Sequence, residues 1–544
     1  MNNNGKLLDQ LFTIRRQFGK QQAAEKIKCL HGIQLTALRS KKSFQRYADT
    51  LLFFIAYPDN KAVCDLANEL LHQLHVYIET NEKRQYSLYN SGITGSAVCA
   101  AFGFEMVKWI AKQYPANIRI VSFEADDARI QFILCSMMSK LESEILQDSY
   151  FNWKEWIERT MLPGETLLDG LIAVFENNNS RPEVKDELWS AIGVNIELFF
   201  TTHSVLRKSL TKPYYHQKLL RRNEPPADFT KPVKVKLSEN EAAEIVDCSR
   251  MILVRHLREI DPISFADAKL VAYYQLPRGI SIALLEMTAE RRHPIDSYIG
   301  YTVFKNGLPV AYAGSWLLFD SGRIGLNVFP AYRGGESQYI FQQVLDVHAQ
   351  VYRLKRFTVD PYQIGNKNSD GIHSGAFWVY YHAGFRPVLP ALAELAANEA
   401  EKIKTIPGYR SPASILKKLA ANKLELVLQK NAVRFDANDL SLVYASMLKH
   451  NYKNNRQRFE QGKEHTLAAL LQIKNYEEPM MKFILQNWAL LLIQNEAALQ
   501  KNSALKKVLK KLFMLKASGS EADYHALLQK TNTLRIIMES KVKG

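Results

Sequence analysis

The sequence has few cysteines and no long apolar run. Only five of its 544 residues are cysteine (Cys29, Cys64, Cys99, Cys135 and Cys248), and none forms a C-x-x-C pair. This spacing excludes the usual zinc and thiol-redox motifs, so no metal site is predicted and the thiols are expected to be reduced. No stretch approaches the roughly 18 uncharged apolar residues of a membrane span, and no apolar signal core follows Met1. We therefore expect an unexported, cytoplasmic protein without a transmembrane segment.

Acidic residues are scarce relative to basic ones. The chain has 71 Lys and Arg against 55 Asp and Glu, a formal net charge of +16. Such a surface attracts polyanions, among them nucleic acid, anionic lipid and phosphate-rich cofactors. Hydrophobic residues (47%) and charged residues (23%) occur in globular proportions, which excludes a mainly disordered chain. The length predicts about three or four domains.

Three regions differ in their hydrophobic pattern. Residues 1–232 read as a mainly helical N-terminal domain, 233–433 as a mixed domain, and 434–544 as a basic helical C-terminal domain. Prolines and basic residues in 208–236 predict a linker, and Ser238 with Glu241 forms a capping box that predicts a helix from 239. The segment 501–516 has six lysines and no acidic residue. It predicts an amphipathic helix whose basic face either contacts an anionic partner or is simply solvated.

The central region alternates strands with tight turns before it becomes helical. Apolar runs at 280–287, 298–304, 308–319 and 323–329 predict an antiparallel meander, with Asn306-Gly307 as a hairpin turn. A glycine-rich turn (332–337), a helix to 354, a strand (356–360), a loop, a second helix and a final strand (385–388) follow. The pattern predicts a mixed α+β fold with a mostly antiparallel central sheet.

Three segments of the central region carry a resemblance to a known family. They are RIGLNVFPAYRGGES (323–337), RFTVD (356–360) and AFWVYYHAGFRPV (376–388). Residues 278–388 resemble the acyltransferase core of the GNAT acetyltransferase superfamily, and Ala376, Tyr380, Gly384 and Phe385 match its A-x-x-x-Y-x-x-x-G-F ending. The resemblance implies a GNAT-like α/β/α domain that takes acetyl-CoA or another acyl-CoA. The implied activity is N-acyl transfer to a small-molecule or protein amine.

The same resemblance implies the cofactor-binding residues. The pantetheine arm would lie along the fourth strand, where that strand diverges from the fifth, and the pyrophosphate would lie at the glycine-rich turn and the helix start after it. The implied residues are Leu326, Asn327, Val328, Phe329, Arg333, Gly334, Gly335, Glu336, Ser337, Gln338 and Asn366.

The glycine-rich turn departs from the family's usual Q/R-x-x-G-x-G/A pattern. If Arg333 occupies the first position of the pattern, Glu336 stands at the fourth, where the family has glycine. If Tyr332 occupies the first position instead, Gly335 and Ser337 fit the fourth and sixth positions, but the tyrosine does not fit the first. A carboxylate beside phosphates is unfavourable unless its side chain points away.

Tyr380 matches the family's proton donor to the leaving thiolate, although an aromatic residue at this position also serves to pack the helix on the sheet. The oxyanion would be held by the N–H of Val328 or Phe329. The general base is open, with Glu286 and His373 preferred over the remaining candidates, which are Asp296, Asp360 and His382.

A second hypothesis belongs to another class of protein. The GNAT-like fold would be a catalytically inactive scaffold that binds nucleic acid, a membrane or a protein partner through basic helices. The Glu336 side chain separates the two hypotheses. A carboxylate folded over the turn favours the scaffold, and a turn whose N–H groups converge on an anion favours the cofactor.

Overall fold

The computed structural model describes residues 3–147, 152–200, 210, 212–220, 231–493 and 496–543. Helices and two sheets alternate along the chain, and the predicted α+β class is confirmed. None of the described helices is long and apolar enough to cross a membrane.

The first helices pack against the central sheet. Buried residues such as Leu51 and Phe54 share one continuous apolar core with sheet residues such as Ile282 and Tyr301. The helices are α1 (Asn3–Ile14), α2 (Lys20–His31), α3 (Lys41–Ala56), α4 (Lys61–Glu79) and α5 (Glu82–Ser87).

A small α/β unit follows and has an apolar core of its own. Its antiparallel sheet has the order β1-β3-β2, and Trp153 and Trp189 are fully buried in its core. The strand predicted at 118–123 is confirmed as β2, whereas β1 and β3 give no clear sequence signal. The elements are β1 (Ala97–Ala101), α6 (Phe104–Gln113), β2 (Ile118–Phe123), α7 (Asp127–Met137), α8 (Lys140–Gln147), α9 (Trp153–Thr160), α10 (Leu167–Glu176), α11 (Pro182–Ile192) and β3 (Val194–Phe199).

The central sheet has the order β12-β13-β11-β9-β8-β7-β6-β5-β4, with β10 also paired to β8. Its ladders are antiparallel except for the parallel pair β9 and β11. The elements are β4 (Val233–Val235), α12 (Glu239–Arg255), α13 (Asp261–Ser264), β5 (Ala272–Leu276), β6 (Ile280–Leu285), β7 (Ser297–Lys305), β8 (Leu308–Leu318), β9 (Ser321–Ile324), β10 (Asn327–Val328), α14 (Ser337–Val351), β11 (Arg356–Val359), α15 (Ser369–Ser374), α16 (Ala376–His382), β12 (Arg386–Pro387), α17 (Pro390–Thr405), α18 (Ala413–Leu419) and β13 (Leu424–Val427).

Local signals of the central region are confirmed. Asn306 and Gly307 have φ angles of 48° and 81°, the left-handed backbone that a two-residue hairpin requires. The Ser238–Glu241 capping box starts α12. Of the predicted linker, residues 208–209, 211 and 221–230 lie outside the described residues, and its last residues include strand β4 at the sheet edge.

The C-terminal helices form a third apolar core, centred on Trp488 and Phe513. The predicted basic amphipathic helix is confirmed as α24, with its apolar face buried, but Lys516 is fully buried and ion-paired with Glu521. The helices are α19 (Ala437–Tyr452), α20 (Arg456–Glu460), α21 (Lys463–Leu471), α22 (Pro479–Leu492), α23 (Glu496–Lys501), α24 (Ser503–Ser518), α25 (Glu521–Gln529) and α26 (Asn532–Lys543).

Candidate functional site

A gap opens in the central sheet where β9 and β11 stop pairing. The last residue pair of these parallel strands is Arg323 with Thr358. The chain after β9 stays beside β8, because Asn327 and Val328 of β10 still pair with it. Residues 325–328 therefore line one side of a gap whose other side is the chain that leaves β11.

The β10 segment presents a strand edge to this gap. The Phe329 N–H donates to the Val310 carbonyl of β8 (3.0 Å), so this amide belongs to the sheet and is not free to hold an oxyanion. Backbone groups alternate in direction along a strand, so those of Leu326 and Val328 face the gap. The Leu326 N–H donates to the Tyr380 hydroxyl oxygen (3.1 Å), and the Val328 carbonyl accepts from Arg333 Nε (3.3 Å).

Tyr380 lies on α16 and closes the inner end of the gap. Its side chain is buried, and its ring packs edge-on against Phe341 of α14 at 5.1 Å. Burial raises the pKa of Tyr380 above its ordinary value, against the opposing effect of the Leu326 N–H, so the phenol is protonated at neutral pH. Because the oxygen accepts from Leu326, the hydroxyl proton is available to another acceptor.

The glycine-rich turn leads directly into helix α14. Gly334 has φ +79°, which lets the chain reverse before the helix begins at Ser337. Within the described part of the chain, the N–H groups of Ser337, Gln338 and Tyr339 have no protein acceptor. They are the orphan donors of a helix start, at the positive end of its dipole.

Arginines surround the exposed side of this turn. The Arg16 guanidinium lies directly against Gly334, in the space that a side chain would need. Arg15 Nη2 donates to the Arg333 carbonyl (3.4 Å), and the exposed Arg333 side chain has Asp370 at 3.6 Å. Arg15 is buried and interacts with Asp49, so Arg16 and Arg333 are the cations on the exposed side, with Asp370 as their carboxylate. Two cations with one carboxylate make this side of the turn electropositive, which favours an anion.

Glu336 turns its carboxylate to the opposite, buried side. The residue is 1% exposed; its Oε2 accepts from Lys305 Nζ at 2.8 Å, and its Oε1 is paired with Arg278. The Leu220 N–H also donates to Oε1 (2.9 Å). Burial alone would raise the pKa of Glu336, but His216, Lys305 and Arg278 outweigh it and hold the pKa below its usual range. The carboxylate therefore points away from the gap.

Tyr57 seals the same buried side. Its hydroxyl oxygen accepts from the Glu336 N–H (3.4 Å), and a Cβ on Gly335 would lie 2.6 Å from its ring. Gly335 is therefore required by the close approach of Tyr57, the residue that follows α3.

The two preferred base candidates do not join Tyr380. Glu286 follows β6, three strand spacings or about 14 Å from β9. Its carboxylate accepts from the Glu521 N–H (2.7 Å) and the Ala522 N–H (3.2 Å) and so caps α25, and burial raises its pKa to about 7. His373 is exposed on α15, and its Nδ1 bonds the Ser369 carbonyl of the same helix (2.7 Å).

Of the remaining candidates, Asp360 lies nearest the gap. It directly follows β11, and its Oδ2 is 4.0 Å from Arg323 Nη1. Asp296 is bonded to His293 Nδ1 (3.1 Å), and Asn366 is exposed in the loop beyond β11. His382 is half-buried at the end of α16, its ring stacked on Trp378.

The structure thus brings together the β10 edge, the turn, the start of α14 and Tyr380. It adds residues that the sequence pattern did not indicate, namely Arg15, Arg16 and Tyr57. These lie about 280–320 positions before the turn, and only the overall excess of basic residues hinted at them.

No family model, curated protein or solved structure matches the chain.

Proposed function

We propose that the protein is a CoA-dependent acyltransferase that transfers an acyl group, most simply acetyl, to an amine. The observation that carries the proposal is the backbone edge of Leu326 and Val328, which opens beside the Tyr380 hydroxyl and ends at an arginine-lined helix start. The resemblance of 278–388 to the GNAT superfamily assigns the same segments to acyl-CoA.

The electropositive turn suits the phosphates of coenzyme A. Arg16 and Arg333 would contact them through charge-assisted hydrogen bonds, and the N–H groups of Ser337, Gln338 and Tyr339 would add backbone donors. Because the Glu336 carboxylate is neutralised on the buried side, it does not oppose the anion.

The β10 edge suits the amide groups of the pantetheine arm. The Leu326 carbonyl and the Val328 N–H face the gap and would pair with them as a neighbouring strand does. The bound coenzyme supplies a thioester at the inner end of the gap. There the protonated Tyr380, whose hydroxyl lies at Leu326, would donate its proton to the departing sulfur.

Isothermal titration with acetyl-CoA tests the proposal. We expect binding by the wild type and a loss of about tenfold or more in affinity in Arg16→Gln with Arg333→Gln, since each loses a charge-assisted contact. Arg39→Gln is the matched control and should bind normally, because Arg39 is an exposed arginine in the connection before α3. Absence of binding by the wild type, to acetyl-CoA and to longer acyl-CoAs, would contradict the proposal.

The inactive scaffold remains a second candidate because of one observation. The Leu326 N–H is already hydrogen-bonded to the Tyr380 hydroxyl. Tyr57 packs closely on Gly335 and Gln363 on Gly325, as in a core that takes no ligand. The exposed lysines of α24 would then carry the function. Oligonucleotide binding that weakens steeply with salt, together with no acyl-CoA binding, would favour this candidate.

A further inference from the structure

A second cleft lies at the carboxyl ends of β9 and β11, against the start of α19. It has a volume of about 260 Å³ and is lined by Arg323, Thr358, Asp360, Lys423, Asp436 and Asn438. We propose that this cleft binds the acyl acceptor, and that the acceptor is a small molecule carrying both an amino group and a carboxylate. The inference rests on the proposed acyltransferase function.

The position of the cleft follows from the strand geometry. Alternate residues of a strand point to one face, so Arg323 and Gly325 project to the same side about 7 Å apart. Gly325 adjoins Leu326, the inner end of the backbone edge. A ligand that lies along that edge from Val328 to Leu326 therefore points its end toward the cleft. Gln363, whose side chain packs on Gly325, lies between the two.

Two cations of the cleft are positioned but only loosely paired. The Arg323 guanidinium lies over the Trp316 ring (4.3 Å), which itself stacks on Tyr298 (4.1 Å). The nearest carboxylate oxygens lie 4.0 Å from Arg323 Nη1 and 4.0 Å from Lys423 Nζ. Among the residues that the structure describes, neither cation donates a side-chain hydrogen bond. Both keep donors for a carboxylate, which suits the planar fork of arginine in particular.

The carboxylates of the cleft differ in what they already bind. Asp436 accepts from the Asn438 N–H (2.9 Å), and Asp439 accepts from the Asp436 N–H (2.8 Å), so both cap α19. Asp360 uses Oδ1 for the Tyr362 N–H (2.9 Å), and its half-exposed side chain leaves Oδ2 facing the cleft. Asp436 likewise uses only Oδ1 for backbone N–H groups and leaves Oδ2 4.0 Å from Lys423 Nζ. We assign the amine to Asp360 because this residue directly follows β11, beside the gap.

Opposite charges in one small cleft select the ligand class. Three carboxylates repel a polyanion, and two cations repel a polyamine. A molecule with one negative and one positive end satisfies both sets, as a zwitterionic amino acid does.

The charges also assign the proton in the transfer. The bound ammonium first gives one proton to Asp360, which passes it to solvent, so that the nitrogen has a free electron pair. As this neutral nitrogen forms its bond to the acyl carbon and the carbon–sulfur bond breaks, its second proton passes to Asp360. The sulfur leaves with the bonding electron pair and takes the Tyr380 proton. Asp360 then releases its proton to solvent and Tyr380 regains one, so the enzyme is unchanged.

Ligand-observed NMR of the full chain without coenzyme tests the cleft. The probes are glycine, L-lysine and L-glutamate, with propylamine and propionate as probes that carry one charge only. We expect at least one amino acid to bind the wild type, and neither single-charge probe. Arg323→Gln and Lys423→Gln should each weaken that binding about tenfold, since each removes a charge-assisted hydrogen bond, and Arg39→Gln should leave it unchanged.

Two results would overturn the inference. One is that no amino-acid probe binds the wild type. The other is that both cleft variants bind the amino acid with the affinity of the wild type. Since Arg323→Gln also removes the contact with Trp316, the half-exposed Lys423 supplies a variant that leaves the fold intact. Acetyl-CoA binding without amino-acid binding refutes only this inference. Amino-acid binding without acetyl-CoA binding refutes the proposed function and with it the acceptor role, and leaves only an amino-acid site.

Discussion

Glu336→Gln should destabilise the protein far more than an ordinary surface substitution. The carboxylate is buried, with Lys305 Nζ at 2.8 Å and Arg278 in contact, and the Lys305 side chain is itself fully buried. The amide keeps the shape but removes the negative charge, which leaves Lys305 buried without a counter-charge. Breaking one partner of a buried ion pair costs about 3–5 kcal/mol.

Denaturant unfolding at neutral pH, followed by tryptophan fluorescence, measures this loss. Glu394→Gln is the matched control, because Glu394 is exposed on α17 and the same change there should stay within about 0.5 kcal/mol. Since the chain has several apolar cores, hydrogen exchange of residues 300–340 should accompany the fluorescence. Equal stability of Glu336→Gln and Glu394→Gln would refute the ion-cluster account.

The pH dependence has a definite sign. The folded pKa of Glu336 lies below its unfolded value, so its contribution is complete above about pH 4.5 and is lost as pH falls toward the folded pKa. The difference in stability between the wild type and Glu336→Gln should therefore shrink in strong acid. A difference that grows on acidification would contradict the assigned charge state.

The remaining predictions concern Tyr380, Glu286 and Lys516. Tyr380→Phe removes the proposed acid, so turnover should fall about 10²-fold or more at unchanged KM, and the unpaired Leu326 N–H should cost about 1–3 kcal/mol in denaturant unfolding. Burial raises the folded pKa of Glu286 to about 7, so the stability that its protonated form contributes is lost as pH rises from about 4.5 through 7. The unfolding midpoint of the wild type should therefore fall over this pH range, and that of Glu286→Gln should fall less. An equal fall in both proteins would refute the assignment. Lys516→Met removes the nearer of the two cations at the buried Glu521 carboxylate and leaves Arg292 Nε at 3.8 Å, so amide exchange in helix α25 should accelerate. Unchanged exchange would show that the Lys516 pair does not fix this helix.

Features of the fold that depend on neighbouring residues could be predicted from the sequence. Asn306-Gly307 makes its hairpin because both residues accept positive φ, and Ser238 with Glu241 starts a helix through local hydrogen bonds. The small sheet of β1 and β3 was not predictable in this way. The five-residue β1 is alanine-rich and forms only because β3, nearly a hundred residues later, pairs with it.

In the candidate site too, the features that depend on neighbouring residues could be predicted from the sequence, and those that depend on distant residues could not. The strand edge and Tyr380 follow from the local pattern of 323–337 and 376–388. The direction of Glu336 does not, because its partners Arg278 and Lys305 come from two hairpin ends 58 and 31 residues away. Glu286 suggested a base from its place on a strand, yet the helix that it caps begins 235 residues later.

Hydrogen–deuterium exchange of the full chain with and without acetyl-CoA tests the central claim most directly. The account predicts slower exchange in peptides covering 324–339, because the Val328 N–H and the first N–H groups of α14 would bond the coenzyme. Peptides of the 97–200 unit should be unchanged and serve as the internal control. No change in 324–339 at saturating acetyl-CoA, or protection elsewhere in the chain alone, would contradict the account.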